Sequence, residues 1–153
     1  MRIRDAQLQV FQELAEDSLV TSVMEYLREE HSDVTVKLPD VSMLLKEVPG
    51  ELLEELVRNA IAVAHGYGMS WQSSLAAFVT LSFTVAPNFH RHHYISQVLE
   101  DGSINPDLRI DELWERTTER TWREAVESYD PAAWAADLDI SHPSLRPVLV
   151  KVV

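Results

Sequence analysis

The sequence predicts a mainly α-helical single domain over residues 1–153, a bundle of about five helices with a small β-hairpin at about residues 34–45 and a further strand at the C-terminal end. Three observations carry that expectation. Apolar residues recur at intervals of three and four over most of the chain, Gly and Pro fall between those stretches, and only three short runs read as strands. A chain of 153 residues with 46% hydrophobic and 25% charged residues has the balance of an ordinary globule, and at this size it buries about 68–70% of its unfolded surface.

From Asp5 to Glu30, the residues Leu8, Phe11, Ala15, Leu19, Val23 and Leu27 lie on one stripe of a long amphipathic helix. His31-Ser32-Asp33 end it. Residues 34–38 then change to β-branched side chains with a period near two, and Pro39-Asp40 supplies the turn of a hairpin whose second arm is residues 41–45. Pro49-Gly50 punctuates the chain before a second helix that opens at Glu51, buries Leu52, Leu53, Leu56, Val57, Ala60, Ile61 and Ala64, and stops at Gly66. Gly66 and Gly68 both tolerate positive φ at the break.

Ser70 reads as the N-cap of a third helix over residues 71–85, ended by Pro87. Leu75, Ala76, Phe78, Val79, Leu81, Phe83 and Val85 spread around much of its circumference, the pattern of a helix packed on several sides. A short fourth helix follows over residues 92–99. A fifth opens near Pro106-Asp107 and runs towards Tyr129 on a stripe that includes Leu113, Trp114, Thr117, Thr121, Trp122 and Ala125. Asp130-Pro131 opens a brief helical segment through Trp134 and Ala136. Residues 137–153 form a tail, docked on the domain or on a partner, whose Val148-Leu149-Val150-Lys151-Val152-Val153 is a strand former.

Composition narrows the chemistry. The absence of cysteine removes disulfides, thiolate metal sites and thiol nucleophiles. Thirteen Lys and Arg against 25 Asp and Glu give a net charge of −12, and the arginines are scattered among carboxylates, so nucleic acid and anionic membrane surfaces are disfavoured partners. A basic protein surface suits this charge. The N-terminus lacks the apolar run of a signal peptide, and the longest apolar stretch, residues 75–86, falls short of the ~20 residues of a bilayer span. The expected location is the cytoplasm.

No Gly-x-Ser-x-Gly elbow or phosphate-binding glycine loop is present, and Ser70, Ser73 and Ser74 read as helix-opening residues. His90-Arg91-His92-His93 is the one concentration of metal-ligand side chains, with His90 and His93 as weak candidate ligands that share a helix face only if the fourth helix begins early. No cofactor is expected. Trp134, in a short terminal element, together with Val148, Val150 and Val152 of the tail strand, is nominated as a partner-binding anchor, the competing reading being that these residues complete the protein's own core.

Several pieces of the chain resemble a family of small uncharacterised bacterial proteins associated with type VI secretion and effector gene clusters. They are Met1-Arg2-Ile3-Arg4 with Gln7-Leu8, residues 53–61, Tyr67-Gly68, and residues 78–83 ahead of Ala86-Pro87-Asn88-Phe89. Val98-Leu99-Glu100-Asp101 and Arg109-Ile110-Asp111-Glu112-Leu113 continue the series, which spans roughly residues 1 to 120. The chain departs from that pattern at His90, where aspartate is usual, and at Ala60, where glycine is usual. The resemblance carries no catalytic residue. It implies a helical accessory protein of a secretion or toxin locus: an adaptor, chaperone or immunity protein that binds a co-encoded effector or secretion component. The alternative is an enzyme or metal-binding protein with a dispersed site near His90 and His93.

Overall fold

The computed structural model describes residues 5–134, with side chains from residue 15 onward. The first helix, α1 (Asp5–Glu30), has the bounds that its apolar spacing predicts. Leu19, Val20, Val23 and Leu27 of its second half are buried, while Ala15, on the same stripe, is exposed. The predicted hairpin follows as β1 (Thr35–Lys37) and β2 (Ser42–Leu44), antiparallel, with Val36 opposite Met43. Hydrogen bonds from Leu38 N to Val41 O and from Leu45 N to Val34 O extend the ladder at both ends.

That register turns the backbone groups of Thr35 and Lys37, and of Ser42 and Leu44, outward along the two edges. Side chains already occupy part of each edge. The Tyr129 hydroxyl takes the Lys37 N–H at 3.0 Å and faces the Lys37 carbonyl at 3.4 Å, and the Glu47 carboxylate takes the Leu44 N–H at 3.0 Å. Arg28 then pins the exit of the hairpin to α1 by donating to the Val48 carbonyl at 2.8 Å.

In α2 (Gly50–Gly66), all seven apolar residues expected at its core face are buried. The helix ends where Gly68 adopts a φ of +92°, a conformation that side chains disfavour, and a Cβ there would stand 3.1 Å from the Pro106 ring. Gly66 remains helical. The third helix, α3 (Gln72–Thr84), packs on α1, α2 and the later helix α5 (Arg109–Arg116). Its N-cap position is Trp71 rather than Ser70, and no local side chain caps it. Asp107 does so from across the fold, its Oδ1 accepting from Ser70 N and Trp71 N, both at 2.8 Å.

After a single 3-10 turn at Phe89–Arg91, α4 (His93–Leu99) is capped by His92, whose Nδ1 accepts from Tyr94 N at 3.2 Å. That bond places the ring proton on Nε2, which faces Glu124 Oε1 at 3.2 Å. The expected fifth helix is two helices. A 3-10 turn (Pro106–Leu108) leads into α5, and α6 (Glu119–Glu127) follows after Thr117 and Thr118 turn to extended backbone. Two consecutive β-branched residues favour that geometry, and their hydroxyls reward it: Thr117 accepts the Trp122 indole N–H at 2.9 Å, and Thr118 opens α6 in a capping box with Thr121.

One apolar cluster joins these elements from Leu19 to Trp134. Among the described residues, every buried side-chain nitrogen and oxygen has a hydrogen-bond partner. No helix among them is long and apolar enough to cross a membrane.

Candidate functional site

A groove at the surface grows out of the composition of α3. One side of this helix carries Leu75, Phe78, Val79 and Phe83 into the core. The other presents Gln72, Ser73, Ala76, Ala77 and Thr80, spaced by threes and fours, so that small side chains line up where a ridge would otherwise stand. The resulting groove of about 610 Å³ is walled on one side by Leu19, Ser22, Val23 and Tyr26 of α1 and on the other by Ile110, Asp111 and Trp114 of α5.

Both walls carry an exposed aromatic ring that is held in place. Trp114 is 56% exposed, yet its ring stacks on Trp122 with centroids 5.0 Å apart. Trp122 is fixed in turn by its bond to Thr117 and by Phe89, whose ring lies stacked 6.4 Å away. Tyr26 is 46% exposed and meets His31 edge-on at 5.4 Å, its hydroxyl 3.4 Å from His31 Nε2. Rings already ordered before binding lose little freedom when a partner covers them.

Two residues position the α5 wall. Asp107 caps α3, and Ser74 Oγ donates to the Asp107 carbonyl at 2.9 Å, so the start of α3 is tied to the turn that begins α5. Partial burial of the Asp107 carboxyl opposes its ionisation. The amides of Trp71 and Ser70 and the hydroxyls of Ser74 and Ser70 outweigh that effect and hold it below the ordinary value of 3.8. Arg109 is buried, with Nη1 donating to the carbonyls of Tyr67 and Leu99 at 2.8 Å each and Nε to that of Ile104 at 3.2 Å.

The groove lining is apolar or neutral except for the Asp111 carboxylate. Helical spacing puts exposed Glu115 one turn beyond Asp111 on α5 and exposed Glu30 one turn beyond Tyr26 on α1, which makes the rim acidic. Such a surface can hold an apolar segment and favours cations at its borders.

The residues nominated from sequence lie elsewhere. Trp134 is 1% exposed and packs on Phe83 with ring centroids 4.7 Å apart, so of its two readings the structure places it in the protein's own core. Val148, Val150 and Val152 lie outside the described residues. His90 and His93 share no helix face, because His92 caps α4 and leaves His90 in the preceding turn. His90 is buried against Phe78 and Phe89, with Nδ1 2.9 Å from the Tyr67 hydroxyl, whereas His93 is exposed beside Gln97. A cavity of about 90 Å³ beside His90 is lined also by Asn59, Ser82 and Trp134. Among the described residues, no three His, Asp or Glu side chains are grouped to hold a metal ion.

Sequence reasoning put Trp114 on a core stripe and did not single out Tyr26. The stripe assumed one unbroken helix; with the break at Thr117, the buried residues of α5 are Arg109, Ile110 and Leu113, and Trp114 turns towards solvent. The row Ser73, Ala76, Ala77 and Thr80 was the available signal, a small-residue face on an otherwise apolar helix. No protein-family model, curated protein or solved structure matches the chain.

Proposed function

We propose that this protein is a non-enzymatic binding module whose groove between α1, α3 and α5 receives an apolar segment of another protein flanked by basic residues. The observation that supports this reading most directly is the pairing of Trp114 and Tyr26, exposed but immobilised, on opposite walls of a groove floored by Ala76 and Ala77. Aromatic anchors bordering a desolvated channel are the usual carriers of binding energy. The preference for basic flanks follows from Asp111, Glu115 and Glu30 at the rim and from the net charge of −12. An adaptor, chaperone or immunity role in the cytoplasm, at a bacterial secretion or toxin locus, rests on the family resemblance alone.

The test is a titration with nine-residue peptides of one Val/Leu core, flanked either by Arg and Lys or by Asp and Glu. The basic peptides bind more tightly, the difference shrinks as salt rises, and Ala77→Arg, which fills the floor of the groove, weakens binding by at least about tenfold, or 1.4 kcal/mol. Equal binding by the Ala77→Arg chain, or indifference to flanking charge, would overturn the proposal.

A further inference from the structure

The lining of the groove also selects the conformation of its occupant, an inference that rests on the reading of the groove as a binding site for apolar, basic-flanked segments. Every described residue that lines it belongs to α1, α3 or α5. Amides and carbonyls inside a helix bond along that helix, so the groove holds no strand edge. We infer that the occupant is an amphipathic helix of another protein, laid over Ala76 and Ala77. Its apolar stripe runs through positions i, i+3 or i+4, and i+7, and Lys or Arg beside the stripe face Asp111, Glu115 and Glu30.

Three observations point there. The first is hydrogen bonding. The Thr80 hydroxyl on the floor already donates to the Ala76 carbonyl at 2.8 Å, and the Tyr26 hydroxyl lies 3.4 Å from His31 Nε2. An extended segment pressed into such a lining would bury peptide groups with little to bond to. A helix closes its own backbone bonds and offers side chains alone. The second is relief. Ser73, Ala76, Ala77 and Thr80 stand at i, i+3, i+4 and i+7 of α3, a row of small side chains into which the ridge of another helix fits. The α3 lining spans residues 72–81, about 14 Å along the helix axis, and a stripe from i to i+7 needs about 10 Å. The third is charge. Exposed carboxylates border both walls, Asp111 and Glu115 on α5 and Glu30 on α1, and an amphipathic helix has two polar margins beside its stripe, one for each wall. A net charge of −12 works against a second copy of the chain as the occupant and favours a basic partner.

The test titrates the full chain with two sixteen-residue peptides of identical Leu, Ala, Gln and Lys content. In one the Leu residues recur at i, i+3, i+4 and i+7; in the other they alternate at i, i+2, i+4 and i+6. The helically spaced peptide binds at least about tenfold more tightly, and the circular dichroism of its mixture with the chain shows more helix than the sum of the two alone, because a peptide this short is largely unfolded when free. Proline at a central polar position of that peptide, which touches no anchor but breaks the helix, lowers affinity at least about tenfold. These arms need no variant of the chain. Equal or tighter binding of the alternating peptide, tolerance of the proline, or binding without added helix would overturn the inference. A chain that sediments as a dimer and becomes a monomer on Ala77→Arg would assign the groove to a second copy and overturn it too. The two proposals separate by the same variant. Binding that ignores the spacing of the Leu residues but is abolished by Ala77→Arg removes the helix and keeps the groove, whereas binding indifferent to Ala77→Arg, or binding of neither peptide, removes both readings.

Discussion

The indole nitrogen of Trp134 lies 2.7 Å from the hydroxyl oxygen of Tyr129, and that hydroxyl also receives the backbone N–H of Lys37 at 3.0 Å. One phenol therefore joins the last described turn, the end of the helical body and the outer edge of the hairpin. Removing it in Tyr129→Phe leaves the indole N–H of a buried ring without its acceptor. The expected loss is about 1–3 kcal/mol, read as a lower urea midpoint with an unchanged slope. An unchanged midpoint would mean that the bond contributes nothing net.

Alkaline stability depends on the same residue. Burial pushes the Tyr129 hydroxyl above its ordinary value of 10.0, against the opposing hydrogen bonds from Trp134 and Lys37, and burial raises Tyr67 in the same direction, helped by the charge of Glu100. The folded state thus keeps protons that the unfolded state releases, and stability is full below pH 10 and is lost as pH rises from there through the folded values. Thermal unfolding followed from pH 8 to 11 should show a steeper decline for the wild type than for Tyr129→Phe. Parallel curves would exclude Tyr129 as a contributor.

At the acid end the sign reverses. Asp107 is held below its ordinary value by its bonds to the start of α3, so its contribution is complete above pH 3.8 and disappears as pH falls through the lower folded value. Asp101 is lowered in the same way, first by the Ser103 hydroxyl and amide and then by Arg116. Asp107→Ala removes the cap of α3, at a cost of about 1 kcal/mol near neutrality, and the difference from wild type should narrow towards pH 2. A constant difference across that range would contradict the ionic role.

Trp114→Ala separates binding from folding. The ring stands largely in solvent and its main intramolecular contact is the stack on Trp122, so the stability loss is at most about 1.5 kcal/mol. Affinity for a basic-flanked apolar peptide should fall by about thirtyfold, the effect of losing an anchor worth roughly 2 kcal/mol. Calorimetric titration beside a melting curve distinguishes the two quantities, and a variant that binds as well as wild type would remove Trp114 from the groove's function.

Gly68→Ala combines two penalties at one atom, the positive φ and the approach to Pro106. The ring belongs to the turn before α5, so relief requires moving the wall of the groove. The cost should exceed about 1 kcal/mol, whereas Gly66→Ala, in a helical position with open space, should be neutral or stabilising. Denaturation curves of the two variants side by side check the contrast.

The elements were legible where local spacing decides them. The seven buried residues of α2 and the bounds of α1 follow from periodicity alone, and the hairpin from the β-branched run ahead of Pro39-Asp40. What escaped was set by partners distant in sequence. Ser70 has the chemistry of a cap, but its hydroxyl and its own amide, with the amide of Trp71, are bonded to Asp107, 36 or 37 residues on. The break at Thr117 depends on an indole five residues away, and its consequence, the exposure of Trp114, inverts the role that an uninterrupted stripe assigns to that ring. The groove itself was hidden because small residues on an apolar helix look the same whether they admit a neighbouring helix or leave a space for a ligand.

Arg109 has a mechanical consequence. Its guanidinium stands on carbonyls from the end of α2, the end of α4 and the loop between α4 and α5, three points that do not lie on one strand or helix. A helix fastened to three separate supports has no free axis about which to swing, so α5 behaves as a strut and Trp114 as a fixed post upon it. The α1 wall is fastened as well, Arg28 donating to the Val48 carbonyl at 2.8 Å and Arg58 to Asp17 at 2.6 Å, with Tyr26 set edge-on against His31. With both walls braced, the width of the groove is set by the fold, and it sorts segments by their thickness.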